Sequence, residues 1–119
     1  MARVADYVIL QDNWKVETAA NSPVKFTVPS NIHPGSRSVL TFMFKVDTSG
    51  DAVLKIEING TEVWVWQATG SVERPAHCVQ EVVDANILKP GENILKWHSK
   101  GDWRVTQLSD IVLWVQVET

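Results

Sequence analysis

The residues best equipped for chemistry in this chain are its tryptophans and the polar side chains close to them. Trp64 and Trp66 sit on one short run that ends at Gln67. Trp103 stands between Asp102 and Arg104, and Arg74 lies on another connection. A pyranose offers an apolar C–H face that an indole can cover, and hydroxyls that need directional donors and acceptors. Covering about 100 Å² at ~25 cal/mol per Å² yields roughly 2–3 kcal/mol. Micromolar affinity needs about 8 kcal/mol. Such a site therefore requires a polar clamp, several subsites or avidity. On this chemistry Trp66 and Trp103 are the expected stacking residues. Arg74, Arg104, Asp102 and Gln67 would supply hydrogen bonds, and Trp64 is a further platform residue.

Other reactive constellations are weaker. Glu57 and Glu62 face each other across an expected hairpin, and paired carboxylates can cleave glycosidic bonds. That chemistry needs a cleft and split proton affinities, which a flat outer sheet face does not give. A solvated pair relieved by Lys55 or another lysine is the better reading. His77 and Cys78 are adjacent on a strand, so they point to opposite faces and cannot form a nucleophile–base couple. Cys78 is expected to be a buried, inert thiol. His33, His77 and His98 lack zinc spacing. The segment Asp47-Thr48-Ser49-Gly50-Asp51 carries two carboxylates that could hold a structural calcium, but a plain turn accounts for it better, and no cofactor is expected. No phosphate-cradling glycine loop or serine elbow is found.

These side chains must be held by a scaffold, and its class is readable. The 119 residues suffice for one domain, taken as residues 1–119, with 45% apolar residues and a net charge of −3. A chain of this size buries a real core without staples. No basic block invites nucleic acid. No stretch approaches the roughly 20 apolar residues of a membrane span. One cysteine excludes an intrachain disulfide. With no signal-peptide pattern, a cytoplasmic or non-classically exported location is expected, unless the chain is a fragment of a larger secreted protein.

Period-two alternation dominates, broken by Gly, Pro, Asn and Asp. It predicts strands at Val4–Leu10, Trp14–Thr18, Val24–Val28, Ser38–Val46, Ala52–Ile58, Thr61–Trp66, His77–Val83, Asn93–His98 and Asp110–Glu118. Asn59-Gly60 is a strong two-residue hairpin signal, since both turn positions need positive φ. An unbroken ladder from that turn pairs Ile56 with Val63, Lys55 with Trp64 and Val53 with Trp66. Trp64 and Trp66 would then face outward. Trp97 and Trp114 are expected in the core.

The run Leu88-Lys89-Pro90-Gly91-Glu92-Asn93-Ile94-Leu95, followed by Ser109-Asp110-Ile111-Val112-Leu113, resembles the galactose-binding-like jelly-roll superfamily. It is similar to the sugar-binding domains of β-galactosidase-type hydrolases and to many carbohydrate-binding modules. The resemblance implies an all-β, antiparallel β-sandwich, with ligands held by loops at one end. Alternating strand directions collect the connections 47–51, 67–75 and 99–109 at one end, and Asn59-Gly60 with 84–91 at the other. The expectation is a non-catalytic carbohydrate-binding domain or small lectin, with a glycan as partner. The alternative is an assembly module whose Trp64/Trp66 face meets a second copy or another protein.

Overall fold

The computed structural model describes residues 3–11, 15–16, 23–33, 35–70, 72–73 and 77–118. Within these, side chains are described except at 11, 15–16, 46–49, 52, 68, 72–73 and 99–108. The strands are β1 (Arg3–Gln11), β2 (Lys15–Val16), β3 (Val24–Val28), β4 (Ser38–Ile58), β5 (Thr61–Ala68), β6 (Val72–Glu73), β7 (His77–Val83) and β8 (Gly91–Glu118). All pairings are antiparallel.

Two long strands organise everything. β4 and β8 pair with each other from Val39↔Trp114 to Ile58↔Leu95. The expected loops at 47–51 and 99–109 are strand instead, because Asp47 pairs with Val105, Thr48 with Trp103 and Ala52 with Gly101. Mutual pairing satisfies backbone groups that two loops would leave to water. Register shifts at Asp47/Thr48 and Thr48/Ala52 mark where this ribbon is irregular. β1 and β7 flank one half of the ribbon, and β3 and β5 flank the other. The result is two antiparallel layers that share β4 and β8. Asp47 and Asp51 therefore do not form the expected turn. Asp51 Oδ1 accepts a hydrogen bond from the Gly70 N–H at 3.2 Å.

Alternation decides which side chains meet between the layers. Leu40, Phe42 and Phe44 of β4 and Ile111, Leu113, Val115 and Val117 of β8 are buried on one layer. Leu54, Ile56 and Ile58 of β4, Leu95 and Trp97 of β8, and Phe26 and Val28 of β3 are buried on the other. Aromatic rings clasp the layers together: Phe42 meets Trp97 edge-on at 5.8 Å and Trp64 at 5.0 Å. The expected inward Leu95 and Trp97 are found, Trp97 at 2% exposure.

The hairpin turn forms as expected, with φ of 51° at Asn59 and 82° at Gly60. The ladder beyond it does not. Ile58 pairs with Thr61 and Glu57 with Glu62, but Ile56 then pairs with Trp64 and Leu54 with Trp66. Val63 is a bulge residue, and one extra residue changes the face of everything after it. Trp64 and Trp66 therefore turn inward, and Val65 is exposed opposite Lys55. The physical reason is size. An indole carries 150–250 Å² of buriable surface, well above valine, so a bulge that exchanges a Val face for a Trp face is favoured.

The other end is fixed by Asn93, which is wholly buried. Its amide nitrogen donates to the carbonyls of Lys89 and Gly91, while its oxygen accepts from the Lys89 N–H and from Asn59 Nδ2. Gly91 supplies the positive φ of 85° that this turn requires.

Candidate functional site

Trp66 does not lie on an open outer face. It is half-buried between the layers, 5.6 Å from the Phe44 ring, with Trp64 at 5.3 Å from the same ring. His77 stacks on Phe44 at 5.4 Å and 24°, so the cluster closes the edge of the sandwich beside β7. Gln67 is exposed opposite Val53, on the face of β5 away from Trp66. Adjacent strand residues point apart, so the expected pairing of Trp66 with Gln67 on one ligand fails. The backbone of Trp103 lies opposite Thr48 on the ribbon, but its side chain and those of Asp102 and Arg104 are outside the described ones. Arg74 lies outside the described residues altogether.

The open aromatic surface is elsewhere. Trp114 is 43% exposed and Tyr7 54% exposed, where Trp114 was expected in the core. Ile111, Leu113, Val115 and Val117 take the inward positions of this stretch of β8, so Trp114 must face out with Asp110 and Gln116. Cross-strand register aligns Tyr7, Trp114, Val39 and Val82 in one row across β1, β8, β4 and β7. At ~4.8 Å per strand the row is about 14 Å wide. Ile9 is exposed beside it.

This platform is ordered by its own contacts. The Tyr7 and Trp114 rings lie 5.4 Å apart at 45°. Trp114 Nε1 donates to Thr41 Oγ1 at 3.0 Å, so the indole N–H is occupied while the ring stays open. Arg3 donates to Gln116 Oε1 at 3.2 Å on one rim, and Gln80 is exposed on the other. Tilted rings beside amides and a guanidinium can cover an apolar ligand face and hydrogen-bond its edge. The signal for this face was in the sequence: Asp110 and Gln116 share the phase of Trp114.

Glu57 and Glu62 do sit opposite each other. Lys55 Nζ lies 4.0 Å from a carboxylate oxygen of each, and His98 Nε2 lies 3.0 Å from Glu57 Oε2. Lys55 is shared between the two carboxylates, as expected of a solvated pair relieved by a lysine. Cys78 is exposed rather than buried, because it occupies an outward position of β7 while His77 points in. No group of His, Cys, Asp and Glu suited to a metal occurs among the described residues.

No family model matches the chain, and a search of curated proteins finds no relative. Solved structures share its fold. It is similar to part of dimeric latent PorU from Porphyromonas gingivalis, with 12% identity and a TM-score of 0.74 over 99% of this chain. That match spans only 13% of PorU. A family 35 carbohydrate binding module from Clostridium thermocellum matches 92% of this chain and 97% of its own, at 16% identity and a TM-score of 0.53. The xylan-binding module CBM15 matches 96% of this chain and 97% of its own, at 10% identity and a TM-score of 0.55. The fold is thus an antiparallel β-sandwich shared with these carbohydrate-binding modules, as the Leu88–Leu95 resemblance implied. At these identities the likeness defines architecture.

Proposed function

We propose that this chain is a non-catalytic carbohydrate-binding domain that lays a glycan on the outer face of β1, β8, β4 and β7. The observation that carries the reading is the open Tyr7–Trp114 pair on a rigid sheet, with Trp114 held by Thr41. The carbohydrate-binding modules among its structural neighbours support it. Stacking one sugar on Trp114 contributes roughly 2–3 kcal/mol. Gln116, Arg3 and Gln80 are placed to add hydrogen bonds at the rims. Glu57 and Glu62 share Lys55 outside the described pocket, which argues against paired-acid hydrolysis. Trp103, Asp102 and Arg104, midway along the β4–β8 ribbon, stay in the proposal as a separate contact region, and Arg74 stays with them as an expected contact.

The test is titration with a panel of oligosaccharides, read by tryptophan fluorescence and calorimetry. Trp114→Ala should weaken binding roughly 30- to 150-fold, the equivalent of the stacking term. Unchanged affinity in that variant, with loss on Trp103→Ala, would move the site to the middle of the β4–β8 ribbon. A panel without any binder would end the sugar reading.

A second reading rests on the aliphatic part of the same row. Ile9, Val39 and Val82 are exposed next to the aromatics, and contiguous apolar surface marks protein contacts as well. The inward packing of Trp64 and Trp66 argues for this face rather than theirs as the assembly surface. Concentration-dependent dimerisation lost on Val82→Asp, with no sugar response, would select it.

A further inference from the structure

At the end of the sandwich that holds the Asn59-Gly60 turn, the β3–β4 and β7–β8 connections enclose a pocket of about 350 Å³. This is the end opposite to the one the family resemblance implies for ligands. Both walls are anchored. Ile32 bridges to Val117, the His33 N–H donates to the Gln116 carbonyl at 2.8 Å, and the Glu118 N–H donates to the Asn31 carbonyl at 2.8 Å. Across from them, Asn59 Nδ2 donates to the Ile87 carbonyl at 2.9 Å, and Asn93 holds Lys89. Gly35 and Asn86, which line opposite walls, both adopt left-handed backbone, with φ of 75° and 80°. A cavity between walls fixed in this way persists without a ligand.

Its polar groups are unspent. Ser38 is only 2% exposed, lines the pocket, and its hydroxyl bonds to no other described residue. Its oxygen is not sealed off from the pocket, so the hydroxyl is open to a ligand group that enters. The Asp84 carboxylate and the Asn86 amide also line the pocket, with no side-chain hydrogen bond or ion pair among the described residues. Ile32 and Leu88 supply apolar wall. Among the described residues no lysine or arginine lines it, and His33 Nδ1 is engaged by Glu118 Oε1 at 2.7 Å. An anion would meet the Asp84 carboxylate, which disfavours anions here. The volume lies at the low end of small-molecule sites.

We infer that this pocket is a second binding site, for a neutral hydroxyl-rich ligand of the size of one sugar unit. Asp84 accepts from hydroxyls of the ligand, Asn86 donates and accepts at its edge, and Ser38 bonds the group that enters deepest. The site deepens the sugar-binding reading but uses none of the residues of the Tyr7–Trp114 face.

The experiment is amide-resolved NMR titration of the intact chain with methyl glycosides of glucose, galactose, mannose and xylose. Saturable shifts at 30–38 and 84–90 are expected for at least one of them. Asp84→Ala, at an exposed position that leaves the fold intact, should weaken that binding at least tenfold. Ser38→Ala should weaken it at least threefold, and Trp114→Ala should leave it unchanged. Shifts confined to other residues, or binding that survives Asp84→Ala, would overturn the site. Oligosaccharide binding that depends on Trp114 without any monosaccharide response sinks this pocket alone. A monosaccharide response without Trp114-dependent oligosaccharide binding sinks only the face. Silence toward every sugar sinks both.

Discussion

Deleting Val63 is the sharpest test of how this chain positions its tryptophans. The residue is the extra one in the β4–β5 ladder, between Glu62 paired with Glu57 and Trp64 paired with Ile56. Removing it closes the ladder into a regular two-residue hairpin in which Trp64 still faces Ile56 and Trp66 still faces Leu54. The cost is then the packing of one half-buried valine, about 1 kcal/mol. That corresponds to a fall in Tm of about 4 °C. An unbulged wild-type ladder would make the opposite prediction: its indoles start on the outer face, and deletion reverses every later side chain of β5 and turns both of them inward. Urea denaturation followed by tryptophan fluorescence separates these outcomes. The bulge predicts a folded variant with an unshifted emission maximum. An unfolded chain, or a shifted native spectrum, would show the register to be wrong.

Other expectations follow from single contacts. Asn93→Ala should lower stability by about 2–4 kcal/mol, because the Lys89 and Gly91 carbonyls and the Lys89 N–H lose a buried partner; thermal denaturation should record a drop on the order of 10 °C. Gly91→Ala should cost about 1–2 kcal/mol through its left-handed φ, measured the same way. Trp114→Ala should lower stability by about 1–2 kcal/mol, since the 43% exposed ring loses its contact with Tyr7 and its bond to Thr41, while it weakens glycan binding in calorimetry. Glu62→Gln should stay within about 0.5 kcal/mol in urea denaturation, because its ion pair with Lys55 is long and solvated.

The architecture was legible because strand alternation and turn residues act locally. β3 and β7 start and end where the pattern places them, and Asn59-Gly60 and Pro90-Gly91 turn as their φ preferences require. The continuity of β4 and β8 was not legible, because pairing between 47–52 and 101–105 is a tertiary fact that polar, glycine-containing sequence conceals. The site was harder still. Val63-Trp64-Val65-Trp66 is apolar in both phases, so alternation alone could not choose a face, and the turn suggested the wrong one. The relative size of indole and isopropyl groups was the available clue. For Trp114 the information was present, since Asp110 and Gln116 fix its phase outward. His33, Ser38, Asp84 and Asn86 are far apart in the chain and carry no motif, so only folding brings them to one cavity.

One further property follows from the pairing of the outermost residues, Arg3 with Glu118. The two ends of the described chain leave the domain side by side, on adjacent strands that run in opposite directions. A force applied to both ends therefore loads the β1–β8 ladder as a zipper, breaking it rung by rung from Glu118 inward. Such a geometry yields at low tension, so the domain would release its first strand well before the β4–β8 ribbon felt the pull.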